Sequence, residues 1–162
     1  MPETTFVKIC GLSTPESVDQ AITHGADAVG FVFAESVRKI TPERAKDLVA
    51  RVPNTVETVA VFRKQPIEEV IATARAAGVS AIQFHGREPF ADLRRARHEG
   101  FRTLRAFGVD EFLAVSAVDR ATWAGERRKQ TLSNLNSLIR NILMEWFLTT
   151  RKEILLLKYR NL

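Results

Sequence analysis

One cysteine, three histidines and a tail without glycine, proline or alanine are the scarcities that bound this 162-residue chain. A single Cys excludes an internal disulfide. With only three scattered His, no metal-binding cluster is expected either. No apolar stretch approaches the roughly 18 residues that a membrane span requires. The opening MPETTFVKIC lacks a charged segment followed by an apolar run, so no secretory signal is expected. A reducing cytoplasm is the expected compartment.

The uneven distribution of residues is more telling than the totals. All eight Gly, all six Pro and every Ala lie in residues 1–126. The last 36 residues have none of these, nor Val or Asp, but hold nine Leu and four Asn. Charge divides at the same place. Residues 1–126 carry sixteen basic and seventeen acidic side chains, and 127–162 carry eight and two. The pI near 9.8 therefore belongs to the tail and marks no nucleic-acid face on the body. Two segments of different origin, or a changed reading frame, account for such a break. The expected organisation is a body over 1–126 and a divergent basic tail over 127–162, packed on the same domain.

Within the body, β-branched and aromatic runs recur at 5–10, 28–33, 57–62, 81–85 and 103–107. Their starts lie roughly 22–29 residues apart, the length of a βα unit with its loops. Helical patterns fill the intervals. Ser13-Thr14-Pro15-Glu16 offers a cap at Ser13 with Glu16 at capping-box spacing. Thr41-Pro42-Glu43 and Pro66-Ile67-Glu68 open the next two helices, and Gly25, Gly78 and Gly100 follow helices as stops. This alternation predicts a parallel sheet. Neither a G-x-G-x-x-G nor a G-x-x-x-x-G-K motif follows the first strand, so nucleotide-binding fingerprints are absent.

The strand ends carry chemistry: Lys8 and Cys10, Gln83 and His85, and Arg105. Period-two alternation puts Lys8 and Cys10 on one face, where an ammonium favours the thiolate. Taken alone, Cys10 reads as a small buried hydrophobe; the face it shares with Lys8 brings the catalytic reading level with that one.

Phe6-Val-Lys-Ile-Cys-Gly11, Gly25-Ala-Asp-Ala-Val-Gly-Phe-Val-Phe33, Ser36-Val-Arg38, Val59-Ala-Val-Phe62 and Ile82-Gln-Phe-His-Gly86 occur in order. Together they closely resemble phosphoribosylanthranilate isomerase of tryptophan biosynthesis, over about residues 4–126. The resemblance implies a (βα)8 TIM-type barrel that needs no metal or cofactor and acts on a small phosphosugar. The implied reaction is the Amadori rearrangement of phosphoribosylanthranilate to a 1-deoxyribulose phosphate. By motif, Cys10 is the general base, with Lys8 beside it. Arg38 meets the anthranilate carboxylate, and Gln83 and His85 line the pocket. Arg38 as a solvated loop cation and His85 as a structural histidine remain alternative readings.

The resemblance stops near Arg127. There the family continues into a strand ending in its acidic general acid, whereas this chain reads Arg128-Lys-Gln-Thr-Leu. Glycine-rich phosphate loops have no counterpart in a tail without Gly. The chain is also short of the roughly 200–250 residues of a whole barrel. The expectation is an incomplete barrel of about five parallel βα units, truncated or chimeric, with the general acid absent and negligible activity alone. Leu132, Leu135, Leu138, Ile139, Ile142, Leu143, Trp146 and Phe147 predict an amphipathic tail helix covering the open barrel. Ile154–Leu157 either extends that helix or pairs beside strand five, placing Lys158 where the family has its acid. Two incomplete barrels covering one another as a homodimer is a further architecture. The alternative function is an interaction protein whose basic amphipathic tail docks a partner or a membrane surface; no nucleic-acid partner is expected.

Overall fold

A computed structural model describes residues 6–106 and the backbone of 154–157, all within one compact unit. The amphipathic-helix and acid-substitute expectations for 127–153 and Lys158 lie outside the described residues.

Five parallel strands alternate with four helices. They are β1 (Phe6–Cys10), α1 (Pro15–Thr23), β2 (Ala28–Val32), α2 (Pro42–Val49), β3 (Glu57–Phe62), α3 (Ile67–Ala77), β4 (Ala81–Phe84), α4 (Phe90–His98) and β5 (Arg102–Arg105). Each strand pairs in parallel with the next, as a consecutive βα repeat must when it curls toward a barrel. The described residues thus form an incomplete TIM-type barrel, as the family resemblance implies; the strand–helix periodicity predicts the parallel sheet.

A further strand, β6 (Ile154–Leu157), lies antiparallel to β1, with Phe6 opposite Leu157 and Ile9 opposite Ile154. The sheet order is β5-β4-β3-β2-β1-β6. The expectation that Ile154–Leu157 would sit beside β5 is therefore corrected. The outer edge of β1 presents as many unpaired N–H and C=O groups as that of β5, and an apolar run can zip onto either.

The pleat sorts the side chains into two layers. Val29, Phe31, Ala60, Phe62, Ile82 and Phe84 point toward the helices and are buried against Val18, Leu48, Val70, Ala74, Leu93 and Ala96. The helical contributors recur at three- and four-residue spacing, one stripe per helix. Phe33 and Phe62 stack within this layer with ring centroids 5.3 Å apart. The opposite face is smaller: Ala28, Val59 and Ala81 form a second cluster, flanked by Phe6 and Leu104.

The helix ends follow their local chemistry, with one shift. Thr41 caps α2 and accepts from the Arg44 N–H at 3.2 Å. At α1 the cap is Thr14, not Ser13, and its capping-box partner is Ser17, not Glu16. Pro15 decides this. Proline suits the first helical position and forces the preceding residue into extended geometry, here φ −127° and ψ 153° at Thr14. Helix α3 stops at Gly78, whose φ of 71° is the left-handed conformation that closes the last turn. Between α1 and the end of α2, Arg51 grips Asp19 in a fork through one edge of its guanidinium, Nε donating to Oδ1 at 3.1 Å and Nη2 to Oδ2 at 2.5 Å.

These contacts set three expectations. Phe62→Ala should lower unfolding free energy by about 3–5 kcal/mol, and Thr41→Ala by about 1 kcal/mol, both read by urea denaturation. The Arg51 hydrogen bond holds Asp19 below its ordinary 3.8. A depressed carboxylate stabilises the fold above its unfolded value, and that contribution fades as pH falls through the folded value. Arg51→Ala should therefore lose this contribution near neutrality, a small loss because the pair is half-exposed, and match wild type once pH falls below the folded value, which flattens the acid limb.

Candidate active site

The chemistry gathers at the C-terminal end of β1. Lys8 and Cys10 share the face of the small inner cluster, and the β1–β2 register sets Cys10 opposite Gly30. A methyl group at Gly30 would lie 2.8 Å from Cys10 Sγ and 3.0 Å from Lys8 Nζ. Both reactive heads therefore converge on the one position of β2 that has no side chain. Lys8 is fully buried, and its Nζ has no hydrogen-bond partner among the described residues. Cys10 is a free thiol and only half-buried. Lys8 and Cys10 lie on one strand face, as period-two alternation predicts.

The turn after Cys10 is held by backbone. Gly11 and Leu12 both donate their N–H groups to the Gly30 carbonyl, at 2.9 and 3.1 Å. Gly11 adopts φ +82°, and a Cβ there would meet Arg38 Cδ at 2.7 Å and Nη1 at 2.9 Å. Arg38 thus reaches from the β2–α2 loop and lays its side chain across the end of β1. Its own N–H donates to Ser36 Oγ at 3.2 Å, which fixes the loop that carries it.

Gln83 lies on the same inner face, paired between Val61 and Leu104, and is buried with its Oε1 unpartnered among the described residues. His85 follows β4 with its N–H still in the ladder, donating to the Phe62 carbonyl at 2.8 Å. Continued alternation places it on the Gln83 side. Two strands, β2 and β3, lie between this pair and Lys8 and Cys10 in the sheet. The structure thus brings Lys8, Cys10 and Arg38 together, with Gln83 and His85 across the same face.

Arg105 does not join them. It pairs with Phe84 on the helix-facing side, lies 5.2 Å over the Phe90 ring and donates to the Gly86 carbonyl at 3.2 Å. Alternation of β5 sends Leu104 inward and Arg105 outward, which its place at a strand end concealed.

Two residues escaped the sequence reading. Gly30 carried a signal, because a glycine within a strand marks close approach by another group. Glu88 carried none: it is buried, packs against Gly86, and accepts the Lys64 N–H at 2.8 Å. Lys64 has a positive φ of 62°, so Glu88 ties a strained β3–α3 loop to the β4–α4 loop beside the site.

A surface groove of about 370 Å³ lies elsewhere, lined by Phe33, Ile40, Thr41, Pro42, Gln65 and Thr73, and holds none of these groups. Among the described residues no three His, Cys, Asp or Glu side chains gather as a metal ligand set. No described helix is long and apolar enough to cross a membrane.

Parallel βα units with polar groups at the C-terminal strand ends define the class: barrel proteins of the TIM type. The model of the N-(5'phosphoribosyl)anthranilate (PRA) isomerase family matches residues 7–124, and the chain belongs to that family. It is 44% identical over 89 residues to the N-(5'-phosphoribosyl)anthranilate isomerase of Bacillus cereus strain B4264, covering 55% of this chain and 44% of that one. The Desulforudis audaxviator isomerase is 40% identical over 117 residues, covering 72% and 55%. Among solved structures, phosphoribosyl anthranilate isomerase from Thermus thermophilus aligns with a TM-score of 0.61 at 37% identity, covering 65% and 52%. The isomerase from Thermotoga maritima gives 0.66 at 33%, covering 76% and 58%. Another isomerase structure, in complex with reduced 1-(o-carboxyphenylamino)-1-deoxyribulose 5-phosphate, gives 0.64 at 33%, covering 75% and 59%. The chain spans about half the length of the curated relatives it matches.

Gly30→Ala should force Lys8 and Cys10 apart. The expected result is a loss of about 1–3 kcal/mol by denaturation, as for other overpacked sites, with an altered rate of Cys10 alkylation by iodoacetamide.

Proposed function

We propose that this chain carries the base-bearing half of a phosphoribosylanthranilate isomerase site. The convergence of Lys8 and Cys10 over Gly30 supports this reading most directly. The Amadori rearrangement needs a base for the C2′ proton of an open-chain Schiff base, and a thiolate next to an ammonium fits that task. Cys10 takes the proton, and the resulting enolamine then tautomerises to the ketone. Arg38, braced across Gly11, suits a planar carboxylate such as that of anthranilate, because its guanidinium can bind in a fork. Gln83 and His85 line the far side of the pocket. A relative bound to a reduced carboxyphenylamino deoxyribulose phosphate is consistent with that ligand class.

The reaction also needs an acid to open the furanose and a cradle for the phosphate. Residues 127–162 lack Asp and Gly, and that composition supports a chain that does not complete the cycle by itself. Loss of one member of an acid–base pair alone costs about 10²–10⁴ in rate.

The purified chain should show no loss of phosphoribosylanthranilate fluorescence above the buffer rate, and should not rescue a tryptophan auxotroph lacking the isomerase. Robust rescue would overturn the inactive reading. Replacing residues 127–162 with the C-terminal half of a family member should restore turnover. Cys10→Ala in that chimera should then remove at least about 10² of the rate; an unchanged rate would exclude Cys10 as the base.

A further inference from the structure

The surroundings of Cys10 constrain what happens when it is oxidised. A partly exposed thiol beside a cation is the kind that small peroxides attack first. The sulfenic acid that forms is ordinarily captured by a second thiol or by the next backbone N–H. Neither is on offer here. The chain has no other cysteine, and the Gly11 N–H is committed to the Gly30 carbonyl at 2.9 Å. A nitrogen on the same strand face is the Lys8 amine, buried and without a hydrogen-bond partner among the described residues; its Nζ lies 3.0 Å, and Cys10 Sγ 2.8 Å, from where a Cβ on Gly30 would stand. Because the amine is tethered on the same strand face, it needs no access from solvent to react.

We propose that Cys10 and Lys8 form a modification site, an intramolecular sulfenamide made when hydrogen peroxide oxidises the thiol. In the first step the Cys10 sulfur takes one peroxide oxygen, and the other leaves as water. In the second, Lys8 Nζ attacks the sulfur, the S–O bond breaks, and the departing hydroxide takes a proton from the nitrogen to leave as a second water. Sulfur loses two electrons, peroxide gains them, and one S–N bond replaces an S–H and an N–H. If Lys8 starts as an ammonium, its additional proton goes to solvent. A thiol reductant cleaves the S–N bond and returns both side chains. The crosslink consumes both groups at once and shields the sulfur from irreversible sulfinic acid. The chemistry depends on geometry alone and holds whether or not the chain is an isomerase.

The experiment treats the intact chain with dilute hydrogen peroxide, then digests it with trypsin without reductant for mass spectrometry. The expected product is a peptide spanning Lys8 and Cys10, two hydrogens lighter than its parent, uncleaved after Lys8 and restored by dithiothreitol. Dimedone, which traps sulfenic acids, should label Lys8→Arg strongly and wild type weakly. Equal dimedone labelling of the two would overturn the proposal. So would wild-type sulfinic acid with normal cleavage after Lys8, or a crosslink mapped to the Gly11 amide. The wild-type digest decides the matter even if the Lys8 variant fails to fold.

Discussion

A parallel strand buried on both faces must satisfy two different neighbours with alternate residues, and the rest of this structure hangs on that pleat. One set of positions is large and apolar because four helices press on it, with Phe31, Phe62 and Phe84 fully or almost fully buried. The other set is small: Ala28, Val59 and Ala81 leave room on the inner face. Into that room the same alternation sends Lys8, Cys10 and Gln83. Stability and chemistry thus occupy opposite sides of the same strands, and neither can be shifted by one residue without exchanging them.

The inner face also carries groups that packing alone does not explain. A buried amine without a partner is costly, and native interiors rarely leave one. Among the described residues, Lys8 has no hydrogen-bond partner and lies by a thiol and a glycine rather than a carboxylate. At the N-terminal end of the same face Glu57 meets a largely exposed Arg102 at 2.9 Å, an ion pair that Lys8 lacks among the described residues. The contrast separates a structural end from a reactive one. Around the reactive end, loops are fixed by specific ties. Arg38 crosses Gly11, and Glu88 anchors Lys64 in a strained conformation.

Much of this was legible from residues alone because it is local. Strand positions came through within a residue or two, since β-branched runs alternate with capped helical stripes. Thr41 was readable as a cap because its hydrogen bond is three residues away. The α1 cap was misplaced by one residue because two candidates, Ser13 and Thr14, precede Pro15, and the ring rather than the hydroxyl selects between them. Arg105 was misassigned because a strand end says nothing about which face a side chain takes until the register with β4 is known. Glu88 was invisible: its role lies in a contact across 24 residues, with no periodic or motif signature.

By itself the sequence determined the βα repeat, the presence of Lys8, Cys10, Arg38, Gln83 and His85, and the break after which aspartate and glycine disappear. These follow from residue type and short spacing, which secondary structure obeys directly. The tertiary structure alone decided that the Lys8 and Cys10 side chains both reach Gly30, that Arg38 lies across Gly11, and that Ile154–Leu157 pairs with β1 rather than β5. Those outcomes depend on strand register and edge choice. They arise from hydrogen bonds between segments far apart in the chain, and no local pattern encodes which partner wins.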